Sequence, residues 1–327
     1  MLEGVVLRNS YLVYICFMIR KLPVLLLIIL FSSKLIAQPF ADIVSYSYQT
    51  FSSSYKDSTK WKNKTDDHFL NFFLPKVFKN GNTFLVRLNS EMLSSTITPD
   101  SSYTSQVASV CLPIGMKFVS KNKKWETVVL AVPKIASDFK DKIDEYDIQY
   151  GGIFLEHFVP NDHLKIKAGL YYNREAFGNF FVPLVGVDWR VNSRVSMYGI
   201  LPTNYKVEFN IVKDKLYTGL NLKYFTRSFR LSEKNRYDYV RYNEGQVKLF
   251  VDYFVVPKVL VFAEVGYSIG DNPIQHKYNT DDDKNENVVW ANPVYAPLKN
   301  YPLISFGVAY RVRMDLEKKT EQAEEKK

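Results

Sequence analysis

The sequence predicts an all-β fold, a transmembrane antiparallel up-and-down β-barrel of about 12–14 strands. Apolar and polar residues alternate with period two along most of the chain, the connections run long and short by turns, and the apolar faces carry no charge. No stretch shows a helical apolar stripe with a 3.6-residue repeat. Beyond the first 37 residues no apolar run approaches the roughly 20 residues of a membrane helix.

The chain opens on a segment with its own logic. From Met18 it reads MIRKLPVLLLIILFSSKLIAQPF, with Arg20 and Lys21 as a positive region, Leu22 to Phe31 as an apolar run and Ala37 as a small residue before Gln38. This is the pattern of a cleaved signal peptide over residues 1–37, with Met18 as the expected true start. Leu35 departs from it, since the third residue before a cut is usually small. Removing residues 1–37 lowers the formal net charge from +9 to +6, and no Lys/Arg cluster remains, so no nucleic-acid partner is expected. Cys16 leaves with the leader, and Cys111 alone supports neither an internal disulfide nor a zinc site.

Residues 38–313 form the barrel. In LKIKAGLYY, Leu164, Ile166, Ala168 and Leu170 oppose Lys165 and Lys167. In YKVEFNIV, Val207, Phe209 and Ile211 oppose Lys206, Glu208 and Asn210. In QVKLFVDYF, Val247, Leu249, Val251 and Tyr253 oppose Gln246, Lys248 and Asp252, and LISFGVAYRVR repeats the pattern to Arg313. A soluble β-sandwich shows such strands too, so the connections discriminate. Short ones carry turn residues, as in Lys79-Asn80-Gly81-Asn82, Pro160-Asn161-Asp162 and Asn192-Ser193. Long ones are polar, as in SSSYKDSTKWKNKTDD and NTDDDKNEN. Thirteen connections give 14 strands with both ends of the barrel on the periplasmic side. Pro202-Thr203-Asn204 is short where a long loop is due, and as a bend it would lower the count. Pro75, Pro113, Pro133 and Pro183 are expected at strand ends or bulges. Residues 314–327, MDLEKKTEQAEEKK, read as a solvated, disordered tail.

The face opposite the apolar one collects the lumen-facing charged candidates Asp188, Arg190, Glu208, Lys248, Asp252, Glu264, Arg311 and Arg313. They either pair into a network that fills the lumen or line a water-filled passage. LYYNREAFGNFFVPLVGVDWRV, residues 170–191, places Tyr171, Tyr172, Phe180, Phe181 and Trp189 as membrane-interface aromatics.

The block YYNREAFGNFFVPLVGVDWRV, with MYGILPTNYKVEFNIVKDKLYTGL and YVRYNEGQVKLFVDYFVVPKVLVFAEVGYSI, resembles an outer-membrane β-barrel family of Bacteroidota, domain of unknown function six-two-six-eight. The resemblance covers most of residues 40–313 and is most specific over 170–269. It implies a fold and a location in the bacterial outer membrane, and it supplies no substrate, cofactor or catalytic residue. Barrels of this kind commonly end in an aromatic that the barrel-assembly machinery reads. Here Tyr310 in the last strand would serve, ahead of a tail ending at Lys327.

No G-x-S-x-G, H-E-x-x-H or P-loop motif occurs, so no catalytic, cofactor-binding or metal residue is assigned. His157 and His163 flank one turn and are read as turn and rim residues rather than a metal pair. Asp281, Asp283 and Asn285 resemble the start of a calcium loop, but Glu286 stands where the turn needs Gly. The expected function is passive passage of small solutes or a structural role in the envelope, with outer-membrane lipid and the assembly machinery as partners. The alternatives are a lipid-modifying outer-membrane enzyme and a soluble periplasmic β-sandwich that binds a ligand.

Overall fold

The computed structural model describes residues 40–56, 58–98, 104–231, 238–269, 274–276, 294–295 and 298–313. The expected signal peptide, the tail and the NTDDDKNEN loop lie outside these residues.

Alternating sequence becomes strand throughout. In order the strands are β1 (Phe40–Tyr55), β2 (Ser58–Val77), β3 (Thr83–Thr98), β4 (Thr104–Cys111), β5 (Ile114–Val119), β6 (Trp125–Ser137), β7 (Ile148–Asn161), β8 (Leu164–Glu175) and β9 (Gly178–Arg190). They continue as β10 (Val195–Ile200), β11 (Asn204–Val212), β12 (Leu216–Arg230), β13 (Tyr239–Val256), β14 (Val259–Ile269), the short β15 (Ile274–His276) and β16 (Val294–Tyr295), and β17 (Tyr301–Arg313). Each wall strand pairs antiparallel with the next, and β17 pairs back onto β1 with Phe40 opposite Arg313, so the sheet closes. β4 and β5 are two halves of one wall strand, split at Leu112 and Pro113, and β15 and β16 pair off the tip of β13, so the wall has 14 strands. A closed ring excludes the two-sheet sandwich.

Placing the turns corrects several expectations. Pro202 and Thr203 form a true turn between β10 and β11, which keeps the count even. SSSYKDSTKWKNKTDD is no loop: its serines and charges continue β1 and β2, with Phe51 opposite Thr65 and Ser53 opposite Asn63. Polar residues hold strand geometry there because the wall rises above the membrane, where cross-strand bonds need no apolar face. For the same reason the turn from β8 to β9 shrinks to Ala176 and Phe177. Pro75, Pro133 and Pro183 lie within strands rather than at their ends. Pro133 tolerates this because it faces the break at Pro113, where Leu112 donates its N–H to the Pro133 carbonyl at 2.9 Å.

The wall's faces differ sharply. Outward residues form an apolar belt in which Phe181, Leu249 and Ile211 expose 64, 62 and 59% of their surface. Charges on this face sit toward the strand ends with polar partners, as where Arg174 donates to the Tyr150 hydroxyl at 2.7 Å. Large apolar groups held against the medium in a complete ring suit hydrocarbon rather than water, and a closed ladder leaves no unpaired edge to either. The protein is an outer-membrane β-barrel, with its tight turns on the periplasmic side.

One hairpin leaves the wall. β12 and β13 are fully zipped from Leu216 opposite Tyr253 to Arg230 opposite Tyr239, yet Arg230 makes a parallel bridge to Ser137 of β6, on the far side of the ring. Phe229, Val240 and Tyr242 pack there against Leu93, Val107 and Ala136 in a buried apolar cluster at the outer end. The hairpin therefore crosses the outer mouth.

Candidate functional site: the barrel lumen

Inward residues stack in three layers. The periplasmic layer is ionic. Lys165 donates to Glu126 at 2.6 Å, and Lys117 and His157 reach the same carboxylate at 3.5 and 3.3 Å. Lys167 donates to Asp188 at 2.6 Å, and the same oxygen accepts the Gly199 N–H at 3.2 Å. Across the ring, Glu208 accepts from Arg313 at 2.9 Å and from the Tyr198 hydroxyl at 3.1 Å. Arg311 donates to both oxygens of Asp42, at 2.6 and 3.0 Å, and to Asp252 at 2.5 Å, while its guanidinium lies 3.6 Å from the Phe40 ring centroid. Buried charges persist only where partners replace their water, and each of these carboxylates has at least one cation in contact.

The middle layer is divided. One side is apolar: Val128, Leu155 and Leu184 form a buried cluster, with Leu85, Val182 and Ile200 packed against it. The other side holds Lys248 bound to Glu264, which also accepts from Asn221 at 2.9 Å and lies 4.0 Å from Lys206. Lys223 and Arg87 complete this side, each over an aromatic ring, Phe69 at 5.6 Å and Phe73 at 4.8 Å.

The outer layer fixes the crossing hairpin. Arg227 meets Asp67 at 3.0 Å and also contacts Glu91. Arg230 reaches Asp144 and Asp147 at 3.0 and 3.1 Å. Ser228 donates its N–H and hydroxyl to Glu175, at 2.9 and 2.6 Å, and Lys134 holds the second oxygen of Glu175 at 2.6 Å. Beside this junction lies a rim pocket of about 530 Å³, lined by Tyr146, Gln149, Arg174 and Arg230 among others.

Asp188, Glu208, Lys248, Asp252, Glu264, Arg311 and Arg313 are all buried inside the wall. Arg190, on the same face, is half-exposed at the periplasmic end of β9, and its side chain joins no ion pair among the described residues. The eight do not form one cluster: Asp188 belongs to the β5–β9 half of the ring and the Glu208–Arg313 and Arg311–Asp252 pairs to the other half, while Lys248 and Glu264 lie a layer above. Tyr172, Phe181 and Trp189 face outward, and Tyr172 and Phe181 pack ring to ring at 5.0 Å. Tyr171 and Phe180 are a correction. Their rings turn into the barrel and meet edge-on at 5.9 Å, because adjacent strand residues point to opposite faces. His157 is likewise no turn residue but an inward side chain of β7. Glu126, Asp42, Asp67, Glu91 and Arg227 were absent from the sequence candidates, although each lies on an inward face that alternation could have marked. Among the described residues no three His, Cys, Asp or Glu side chains gather as a metal site.

No family model matches the sequence, and no curated protein matches it. Among solved structures, the chain is similar to an outer membrane channel from Pseudomonas putida F1, at 8% identity and a TM-score of 0.42, over 86% of this chain and 100% of that one. It is similar to the translocator domain of the autotransporter NalP from Neisseria meningitidis, at 11% identity and a TM-score of 0.35, over 94 and 99% of the two chains. A third similar structure is the NanC porin, at 8% identity and a TM-score of 0.34, over 82 and 100%. The barrel assignment rests on the chain's own closed ladder and apolar belt.

Proposed function

We propose that this barrel passes small solutes passively across the outer membrane, with traffic limited by the ionic layers at its two ends. The observation that carries the reading is Arg87. Its side chain is on the inward face of β3, paired across the ladder with Phe73, yet it is exposed to solvent between two buried layers. A cation needs water there, so the middle of the lumen is a wet chamber rather than a filled core. The inward charges pair with one another and not as nucleophile and base at the lipid boundary, which favours passage over lipid chemistry. Membership of the Bacteroidota barrel family is part of the same proposal. The density of ion pairs favours a second, purely structural role in the envelope. Planar-bilayer recording separates the two: the native barrel should show a small conductance, and Arg230→Ser, which loosens the crossing hairpin, a larger one. Silence from both proteins would leave the structural role and remove passage.

A further inference from the structure

The wall has a window. β10, with six residues, falls short of the 9–11 that a tilted strand needs to cross a bilayer. Its turn is clasped low in the wall: Val185 and Leu201 exchange backbone bonds at 3.1 and 2.7 Å, and the Tyr224 N–H donates to the carbonyls of Pro202 and Thr203. Above that level, residues 178–184 of β9 have no strand partner on the β10 side among the described residues, and β12 from Phe225 upward has none on the β11 side, because the hairpin leans to the far wall. Pro183 lies in this free edge. Its nitrogen points the same way as that of Val185, toward the missing neighbour, and as proline it has no N–H to leave unpaired. The contacts of Ser228 with Glu175 and Ala176 close the window at the top. Outward-facing Phe181 and Leu201 place it at the outer edge of the apolar belt.

Behind the window lies the divided middle layer. Val182 and Leu184 on its β9 side and Ile200 below belong to the apolar shelf, and Lys223 stands on its β12 side. Arg87 follows Leu85 of that shelf by two residues on the same face of β3. Neither Lys223 nor Arg87 enters an ion pair among the described residues: Asp42, the carboxylate in electrostatic reach of Arg87, is held through both oxygens by Arg311, and Glu264 is taken by Lys248, the neighbour of Lys223, and by Asn221. An apolar surface facing cations whose neighbouring carboxylates are already engaged fits an anionic molecule with an apolar body. We propose that the window admits an amphiphilic carboxylate from the outer leaflet, its chain on the shelf and its headgroup turned to the cationic side that Lys223 and Arg87 line. This deepens the passage reading and rests on it for the onward route alone.

Binding of a fluorescent dansyl-undecanoate to the full barrel in nanodiscs tests it. Saturable binding is expected, displaced by decanoate but not by decanol or decyltrimethylammonium. Lys223→Gln and Arg87→Gln should each weaken binding about tenfold, the usual effect of removing one charge-assisted contact. Lys223→Arg should keep it, and Val182→Trp should slow uptake from the leaflet by narrowing the window. Displacement by decanol as effective as by decanoate would overturn the proposal. So would native-like affinity in both Gln variants, with heat-modifiable migration showing that they fold. Conductance without carboxylate binding removes this site alone, and binding without conductance removes passage alone.

Discussion

Arg311 shows how the interior tolerates so much charge. A single guanidinium engages Asp42 through two nitrogens and Asp252 through a third, using the planar donor fork that a lysine lacks. Replacing it with leucine would leave the buried Asp252 and the half-buried Asp42 without their cation, a loss of about 3–5 kcal/mol that falls mainly on Asp252. Arg311→Leu is therefore expected to lower the temperature at which the barrel loses its compact migration in detergent, and Arg311→Lys to recover part of the shift. At this scale the sequence was legible by parity. Ile166, Ala168 and Leu170 outward put Tyr172 outward and Tyr171 inward, and Val185, Val187 and Trp189 do the same for Phe181 and Phe180. Reading YY and FF as pairs of interface aromatics ignored that rule. Which inward charges touch was not legible, since Asp67 and Arg227 are 160 positions apart and meet only once the ring is closed.

Among the elements, the β12–β13 hairpin departs furthest from what alternation implies. Its strands read as ordinary wall, and nothing local marks where they turn inward, because the cause is distant: the apolar seat made by Leu93, Val107 and Ala136 on three other strands. Phe229→Ala would empty that seat at a cost of about 3–5 kcal/mol. The expected outcome is a hairpin that exchanges backbone amides faster than β1 or β2, measured by hydrogen exchange, with the rest of the barrel unchanged. Fast exchange throughout the wall would mean that the hairpin holds up the ring rather than merely crossing it. The seam between β9 and β10 is a second departure. Gly199, with φ of +135°, lies so close to Asn204 and Gly186 that a Cβ on either glycine would meet backbone oxygen at 2.2–2.3 Å, so the low turn requires both.

For the whole molecule, the belt is the feature that the sequence revealed best, because lipid imposes one rule on every strand at once. Leu249, near the middle of β13 and well exposed, marks its centre. Leu249→Arg should disfavour insertion by about 2–4 kcal/mol, and the same change at the inward Phe250 should be judged by packing instead. Folding yield into lipid vesicles, read by the migration shift, checks the first. Equal yields for native and Leu249→Arg proteins would count against a membrane-facing belt.

The register at the junction of β1 and β17 sets Asp42 directly opposite Arg311. These are the first and last wall strands, so their ion pair belongs to the seam that joins the two ends of the wall, and a sheet zipped only between strands consecutive in the chain lacks it. It behaves as a latch: released, it leaves the other thirteen seams as they were, so damage to it should surface first as slow or failed completion of assembly, before any change in the finished barrel's contents.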